Sequence, residues 1–346
     1  MKCCAECFKD NEIRSVIQSY KKKGNCGFCG GKNVSICDSD DLSNPLLDLL
    51  TSFLDIYSVS DLEEAKLLKH SLEEDWDIFR VGADAIQMII QEFSWFDLSA
   101  DILNEKVIIS KKHDVDYLDE NCIVRGSSWG GFSKSIKSEN RFHSNIFRAD
   151  AFTYFLEGIA KPYPAGTHFF RARIAENKDG FSICAMGTPP PDKRSAGRVN
   201  PEGIGILYLS SDDKTVLNEI RASVFDYVTI GTFELLQDIS VVNLSGISRT
   251  SPFSHQGELE RYAVNREVFS EIALEIAKPL RRSDSPLEYL PTQYIAEFIK
   301  SRGYDGVEFT STLREEGSNI AAFNESYFRC VEVKTIEISK IQYEIR

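Results

Sequence analysis

From Leu42 to roughly position 110 apolar residues recur mainly at the three-and-four spacing of helices; from Thr167 on, the strand period of two becomes common. The run LLDLLTSFLDIY (46–57) puts its leucines, Phe53 and Ile56 at helical spacing, and Asn44-Pro45 ahead of it offers a cap and a first-turn proline. Ser60-Asp-Leu-Glu63 has the form of a capping box and predicts the start of a second helix. Gly82–Phe93 predicts a third. The polar run 111–145, with RGSSWGGFSKS at its centre, reads as a linker, and Trp76, Phe79, Phe93, Trp95 and Phe96 as core or interface residues. From Thr167 onward the strand formers gather: 167–174, 204–210, 227–236 with 239–244 as a hairpin, 304–309, 319–323 and the alternation 331–345. Helical stretches at 212–221, 258–277 and 291–302 lie between them. Strands and helices mixed without a βαβ repeat predict an α+β fold.

Composition narrows this picture. The 346 residues allow two or three domains, and 42% hydrophobic with 27% charged residues is ordinary globular usage. The net charge of −13 is uneven: seven basic against three acidic residues in 1–37, eleven against twenty-three in 38–150, and twenty-two against twenty-seven in 151–346. These shifts predict units at 1–40, 41–148 and 149–346. An acidic chain is a poor generic nucleic-acid binder, and no apolar run approaches the ~20 residues of a membrane span. MKCCAECFKD is not followed by the apolar run of a secretory signal.

Six of the nine cysteines fall within the first 37 residues. Cys4-Ala-Glu-Cys7 and Cys26-Gly-Phe-Cys29 make two C-x2-C pairs with the separation of a zinc ribbon, so the expectation is a structural Zn²⁺ on Cys4, Cys7, Cys26 and Cys29. Cys3 and Cys37 are alternates, with Cys3 able to replace Cys4. Reduced thiols beside such a pattern point to the cytoplasm. A full thiolate site does no chemistry, so catalysis is sought elsewhere. The Arg-x4–6-His pair of HEPN-type ribonucleases is missing from the middle segment; Arg249 and His255 have the spacing but lie far outside it. No G-x-G-x-x-G after a strand and no P-loop is present, which argues against dinucleotide-fold and NTPase readings.

Five ordered clusters remain: FFRAR (169–173), GRVNPEGIGILYLS (197–210), TVLNEIRA (215–222), YLPTQYIAEFIKSRGYDGVEFTST (289–312) and NIAAF (319–323). In these the chain resembles the RES family, named for an Arg, a Glu and a Ser. The matching positions are Arg171, Arg198, Tyr208, Glu219 and Ser311, with Ser318 a rival for the serine. The cysteine-rich and acidic segments are similar to the amino-terminal extensions of some RES proteins, of the HEPN-RES type.

The resemblance implies an ADP-ribosyltransferase-like domain that takes NAD⁺ as substrate and breaks its nicotinamide–ribose bond by hydrolysis or phosphorolysis, as a toxin or antiphage effector. It also implies a neutralising or triggering protein partner, and leaves a homo-oligomer open. Transfer of ADP-ribose to a protein or nucleic acid is the second reading, and a nonenzymatic zinc-binding module the third. The residue chemistry points the same way. Arg171 and Arg198 offer planar donor forks suited to a pyrophosphate. Glu219 supplies negative charge where a ribosyl cation develops. Ser311 offers a hydroxyl to phosphate or ribose, Tyr208 a ring to stack, and Asn319 completes the ligand-contacting set. Ala172 stands where many relatives carry an aromatic. His168, beside Phe169, reads as a packing residue.

Overall fold

The computed structural model describes residues 1–39, 45–93, 100–126, 128–246, 251–255, 258–278, 285–311 and 317–341. Asn44, Trp95, Phe96 and Arg249, singled out above, lie outside the described residues. The chain divides into two compact units, Met1–Cys122 with Thr250–Arg266, and Ile123–Arg249 with Glu267–Arg346. No helix among the described residues is long and apolar enough to cross a membrane.

The first unit holds β1 (Lys2–Cys4), α1 (Asn11–Ser19), β2 (Lys23–Gly24), β3 (Val34–Asp38), α2 (Pro45–Leu54), β4 (Tyr57–Val59), β5 (Lys66–Leu67), α3 (Leu68–Trp76), α4 (Ala83–Phe93), α5 (Ala100–Asn104), β6 (Lys106–Ile109) and α6 (Val115–Asn121). Strands β1, β3 and β2 form one small sheet, in that order, and β4, β6 and β5 another. Helix α1 starts at Asp10, whose carboxylate accepts from Ile13 N at 3.0 Å. It buries Ile13 and Ile17, one turn apart, completely.

Two local expectations fail here. Ser60 caps no helix: its hydroxyl accepts from Leu62 N at 3.2 Å, closing a short turn, and the helix begins only at Leu68. Tyr57–Val59 instead pairs with the Val107-Ile108-Ile109 run, whose β-branched residues favour a strand.

The second unit contains α7 (Trp129–Ser138), α8 (Ala149–Leu156), β7 (Ala160–Tyr163), β8 (His168–Ala175), β9 (Leu207–Ser210), α9 (Asp213–Glu219), β10 (Tyr227–Leu235), β11 (Ile239–Asn243), the end of α10 (Leu259–Ala277), α11 (Leu290–Ser301), β12 (Gly306–Thr310), β13 (Ser318–Ala322) and β14 (Phe328–Glu337). The run read as a linker therefore carries α6 and α7. Trp129, Phe132 and Ile136 bury one face of α7, and that burial outweighs the helix cost of Gly130 and Gly131.

The strand order is β14-β10-β8-β9-β13-β12-β11-β7. The expected hairpin of β10 and β11 does not form, because β8 and β14 occupy both edges of β10. Strand β11 runs parallel to β12 and antiparallel to β7 instead. Four peptide steps from Leu235 to Ile239 reach at most about 14 Å. Laid flat, the five strand spacings separating β10 from β11 would need about 24 Å. The sheet therefore curls back on itself. Its core joins Phe233 and Leu235 of β10 to Ile239 and Val241 of β11, along with Phe169, Leu209 and Ile320.

Candidate active site and cysteine cluster

Strands β8 and β9 share a single register pair, Phe170↔Ser210. Beyond it they part, and a cavity of about 290 Å³ opens at the split, covered by α9. Five of the six residues proposed from sequence for this half line it: Arg171, Arg198, Tyr208, Glu219 and Asn319. The sixth, Ser311, is 5% exposed and reaches the cavity through Glu219.

Glu219 arrives by helix geometry. Asp212 caps α9, accepting from Lys214 N at 3.1 Å and Thr215 N at 3.0 Å. The helix then presents Val216, Glu219 and Ile220 to the cavity, at i, i+3 and i+4. A carboxylate in a last helical turn sits at the unfavourable end of the helix dipole, so other groups hold it. Glu219 Oε1 accepts from Ser311 Oγ at 2.7 Å and from Asn319 Nδ2 at 2.8 Å. Its Oε2 lies 3.5 Å from Arg198 Nη2. Asn319 uses its other amide end too, Oδ1 accepting from Ser210 Oγ at 2.6 Å, which fixes the amide's orientation. Ser318 is engaged with Ser211 through its backbone: its amide donates to Ser211 Oγ at 3.3 Å and its carbonyl accepts from Ser211 N at 2.9 Å. The structure thus brings Ser311, not Ser318, onto the carboxylate.

The two arginines differ. Arg198 is engaged: Nη1 donates to Ala277 O at 3.0 Å, at the carbonyl end of α10, while the guanidinium lies 5.6 Å from the Phe309 ring centre. Arg171 Nη1 is buried with no hydrogen-bond partner among the described residues. Burial, with help from Arg173, pulls the Arg171 guanidinium down to about 10, against the pull of Glu325. It remains a cation at neutral pH, with a donor free in a partly desolvated site, which is where an anionic ligand gains most.

Tyr208 has committed its hydroxyl. It donates to Asn200 Oδ1 at 2.7 Å and accepts from Val199 N at 3.4 Å, and burial raises its pKa above the ordinary phenol value. His168 is exposed rather than packed, because alternation along β8 turns its neighbour Phe169 into the core and His168 away from it.

Sequence reasoning passed over Ser210, Tyr289, Phe309, Asn200 and Gln293. Asn200 was visible in the Asn-Pro-x-Gly cluster. Tyr289 and Gln293 lie in the 289–312 cluster, but nothing local singles them out, because their roles depend on how α11 docks.

In the first unit the sulfurs of Cys4, Cys7, Cys26 and Cys29 all lie within 4.8 Å of one another. The Cys4–Cys7, Cys4–Cys29 and Cys7–Cys26 separations are 3.7, 3.4 and 3.5 Å. Four thiolates around Zn²⁺ with bonds of about 2.3 Å stand about 3.8 Å apart, so this donor set fits that ion. Phe28 N lies 3.4 Å from Cys26 Sγ, an outer donor of the kind that supports thiolate ligands. Cys3 lies opposite Cys37 in the β1–β3 pairing, and both are fully buried.

The domain is α+β, with Glu219 clamped beside the split in its sheet. The RES domain model matches residues 169–344, just over half of the chain, and the chain belongs to the RES family. Among solved structures it is similar to a chain of the M. tuberculosis MbcT–MbcA toxin–antitoxin complex: 13% identity, covering 53% of this chain and 91% of that one, TM-score 0.31. It is also similar to an anti-CRISPR protein: 15% identity, 50% and 100% coverage, TM-score 0.22. At these scores neither likeness bears on function. No curated protein matches the chain.

Proposed function

We propose that this protein is an NAD⁺-consuming enzyme that breaks the nicotinamide–ribose bond, acting in the cytoplasm as a toxin or defence effector restrained by a partner protein. Membership of the RES family supports the substrate. The observation that carries the reading is Glu219, held in the cavity by Ser311, Asn319 and Arg198, with Arg171 lining the same cavity.

Each group has a part. Arg171 anchors the pyrophosphate. Tyr289 offers a ring surface to the nicotinamide. As the bond breaks, its electron pair leaves with the pyridinium nitrogen, which becomes neutral, and positive charge moves to the ribose. The Glu219 carboxylate, fixed in advance by two donors, stabilises that charge without reorganising. Ser311 and Asn319 keep the carboxylate aimed, and Arg198 limits its movement.

Cys4, Cys7, Cys26 and Cys29 hold a structural zinc in this reading. The ion ties β1 and the Cys26–Cys29 turn together and contributes folding energy rather than chemistry.

The test is to incubate purified protein with NAD⁺, with and without phosphate, and to separate the products. Nicotinamide with ADP-ribose marks hydrolysis, and nicotinamide with ADP-ribose-1″-phosphate marks phosphorolysis. ADP-ribose found on protein or nucleic acid marks transfer. No nicotinamide in any arm refutes the reading.

A further inference from the structure

Arg198 stands at the tip of a half-buried turn that is bonded from several sides. Gly197 N donates to Asn200 O at 2.9 Å, closing 197–200. Asn200, only 5% exposed, donates from Nδ2 to Ser195 O, Pro201 O and Ile204 O at 3.0–3.2 Å, and its Oδ1 accepts the Tyr208 hydroxyl at 2.7 Å. One side chain therefore ties the two flanks of the turn to strand β9. From α11, Gln293 Nε2 reaches Gly197 O and Asn200 O, both at 2.8 Å, and Thr292 Oγ1 donates to Arg198 O at 2.6 Å. There is no room to spare inside: a Cβ on Gly197 would lie 2.5 Å from Asn200 Oδ1 and 2.7 Å from the Tyr208 oxygen.

The backbone of Arg198 is thus fixed from both sides, and its guanidinium spans from Ala277 O to Glu219. We propose that Asn200 is a positioning residue for the Arg198–Glu219 pair, and that the Tyr208 hydroxyl acts through Asn200 rather than on the ligand. The inference rests on the proposed function for its kinetic test, but not for its spectroscopic one. Asn200 is suited to the part because a carboxamide alone among side chains of its size presents donors and an acceptor at once. An aspartate there would turn acceptor oxygens toward three carbonyls.

The experiment compares full-length wild type with Asn200→Asp, Tyr208→Phe, Arg198→Lys and the Asn200→Asp/Arg198→Lys double variant. Thermal unfolding establishes that each is folded. Asn200→Asp lowers kcat for nicotinamide release roughly a hundredfold, the scale of a reactive group misplaced by about 1 Å, with a much smaller change in KM. Tyr208→Phe, which keeps the ring, lowers it in the same direction by less. In the Arg198→Lys background Asn200→Asp adds little, because both changes disable the same pair.

Independently of turnover, the ¹⁵N side-chain resonance of Arg198, assigned by its loss in Arg198→Lys, moves to the shift and fast exchange of a solvated arginine in Asn200→Asp and, partly, in Tyr208→Phe. Full activity of Tyr208→Phe and Asn200→Asp, additive losses in the double variant, or an unmoved Arg198 resonance each overturn the proposal. If Asn200→Asp does not fold, Tyr208→Phe decides by the same two readouts. A wild type that releases no nicotinamide refutes the proposed function instead, and the Arg198 resonance then decides the role of Asn200.

Discussion

Replacing Glu219 by glutamine changes one atom and removes one charge. Oε1 of the native carboxylate accepts two hydrogen bonds, at 2.7 and 2.8 Å, while Oε2 lies 3.5 Å from Arg198 Nη2. In the variant the amide nitrogen faces either Arg198, donor against donor, or Ser311 and Asn319, where the Asn319 amide is also a donor. Neither orientation preserves all three contacts, and neither is anionic. The ground-state ribose carries little charge at the bond to be broken, so NAD⁺ binding depends only weakly on this residue. The transition state depends on it fully. Loss of one preorganised electrostatic contact typically costs roughly 10²–10³ in kcat, about 2.7–4 kcal/mol. Folding stability falls far less, by about 1 kcal/mol, the scale of one hydrogen bond to a charged group in a partly solvated setting. The assay is nicotinamide release at saturating NAD⁺, with KM from the same progress curves and a melting curve as control. A Glu219→Gln protein that turns over at the wild-type rate, or one whose whole deficit lies in KM, refutes the role given to this carboxylate.

Arg171→Ala removes the free cation, so NAD⁺ affinity should fall roughly 10- to 100-fold, as for loss of a charge-assisted bond. Its melting temperature should not drop, because a buried donor without a partner is removed at the same time; titration calorimetry and a thermal melt read the two effects. Freshly purified, reduced protein should contain one zinc per chain by elemental analysis, and Cys26→Ser should lose it and melt earlier. Gly197→Ala pushes a methyl against Asn200 and the Tyr208 hydroxyl and should destabilise by about 1–3 kcal/mol, read by urea unfolding. Burial pushes the Tyr163 phenol up to about 12, with the Glu308 charge adding to the rise and the Lys161 hydrogen bond opposing it. The unfolded chain therefore ionises first as pH climbs from about 10, and stability should fall from there toward pH 12; Tyr163→Phe should flatten that part of the urea-unfolding profile.

How much was legible in the sequence depended on whether a feature was local. The capped helix α9 and the strands carrying Arg171, Tyr208 and Asn319 follow from period, caps and ordered clusters, because each is decided by residues close in the chain. The cysteine pairs are readable for the same reason, since each C-x2-C is one turn. The hairpin of β10 and β11 was misjudged because a short connection and two strand-like runs are equally compatible with strands that part. Only the competition from β8 and β14, more than fifty residues away for the former and more than ninety for the latter, decides it. Helix α7 was hidden by its glycines, whose local preference is overridden by burial of Trp129, Phe132 and Ile136. Gln293 and Tyr289 lie in the 289–312 cluster but were not singled out, since nothing near them in sequence shows that α11 docks beside the Arg198 turn.

The most direct measurement is the release of labelled nicotinamide from NAD⁺ carrying the label in that ring, by purified full-length protein free of any partner. The expected result is one labelled nicotinamide for each NAD⁺ consumed, at a rate that Glu219→Gln lowers at least a hundredfold. NAD⁺ left intact by well-folded wild-type protein, or nicotinamide released equally fast by the Glu219→Gln variant, contradicts it.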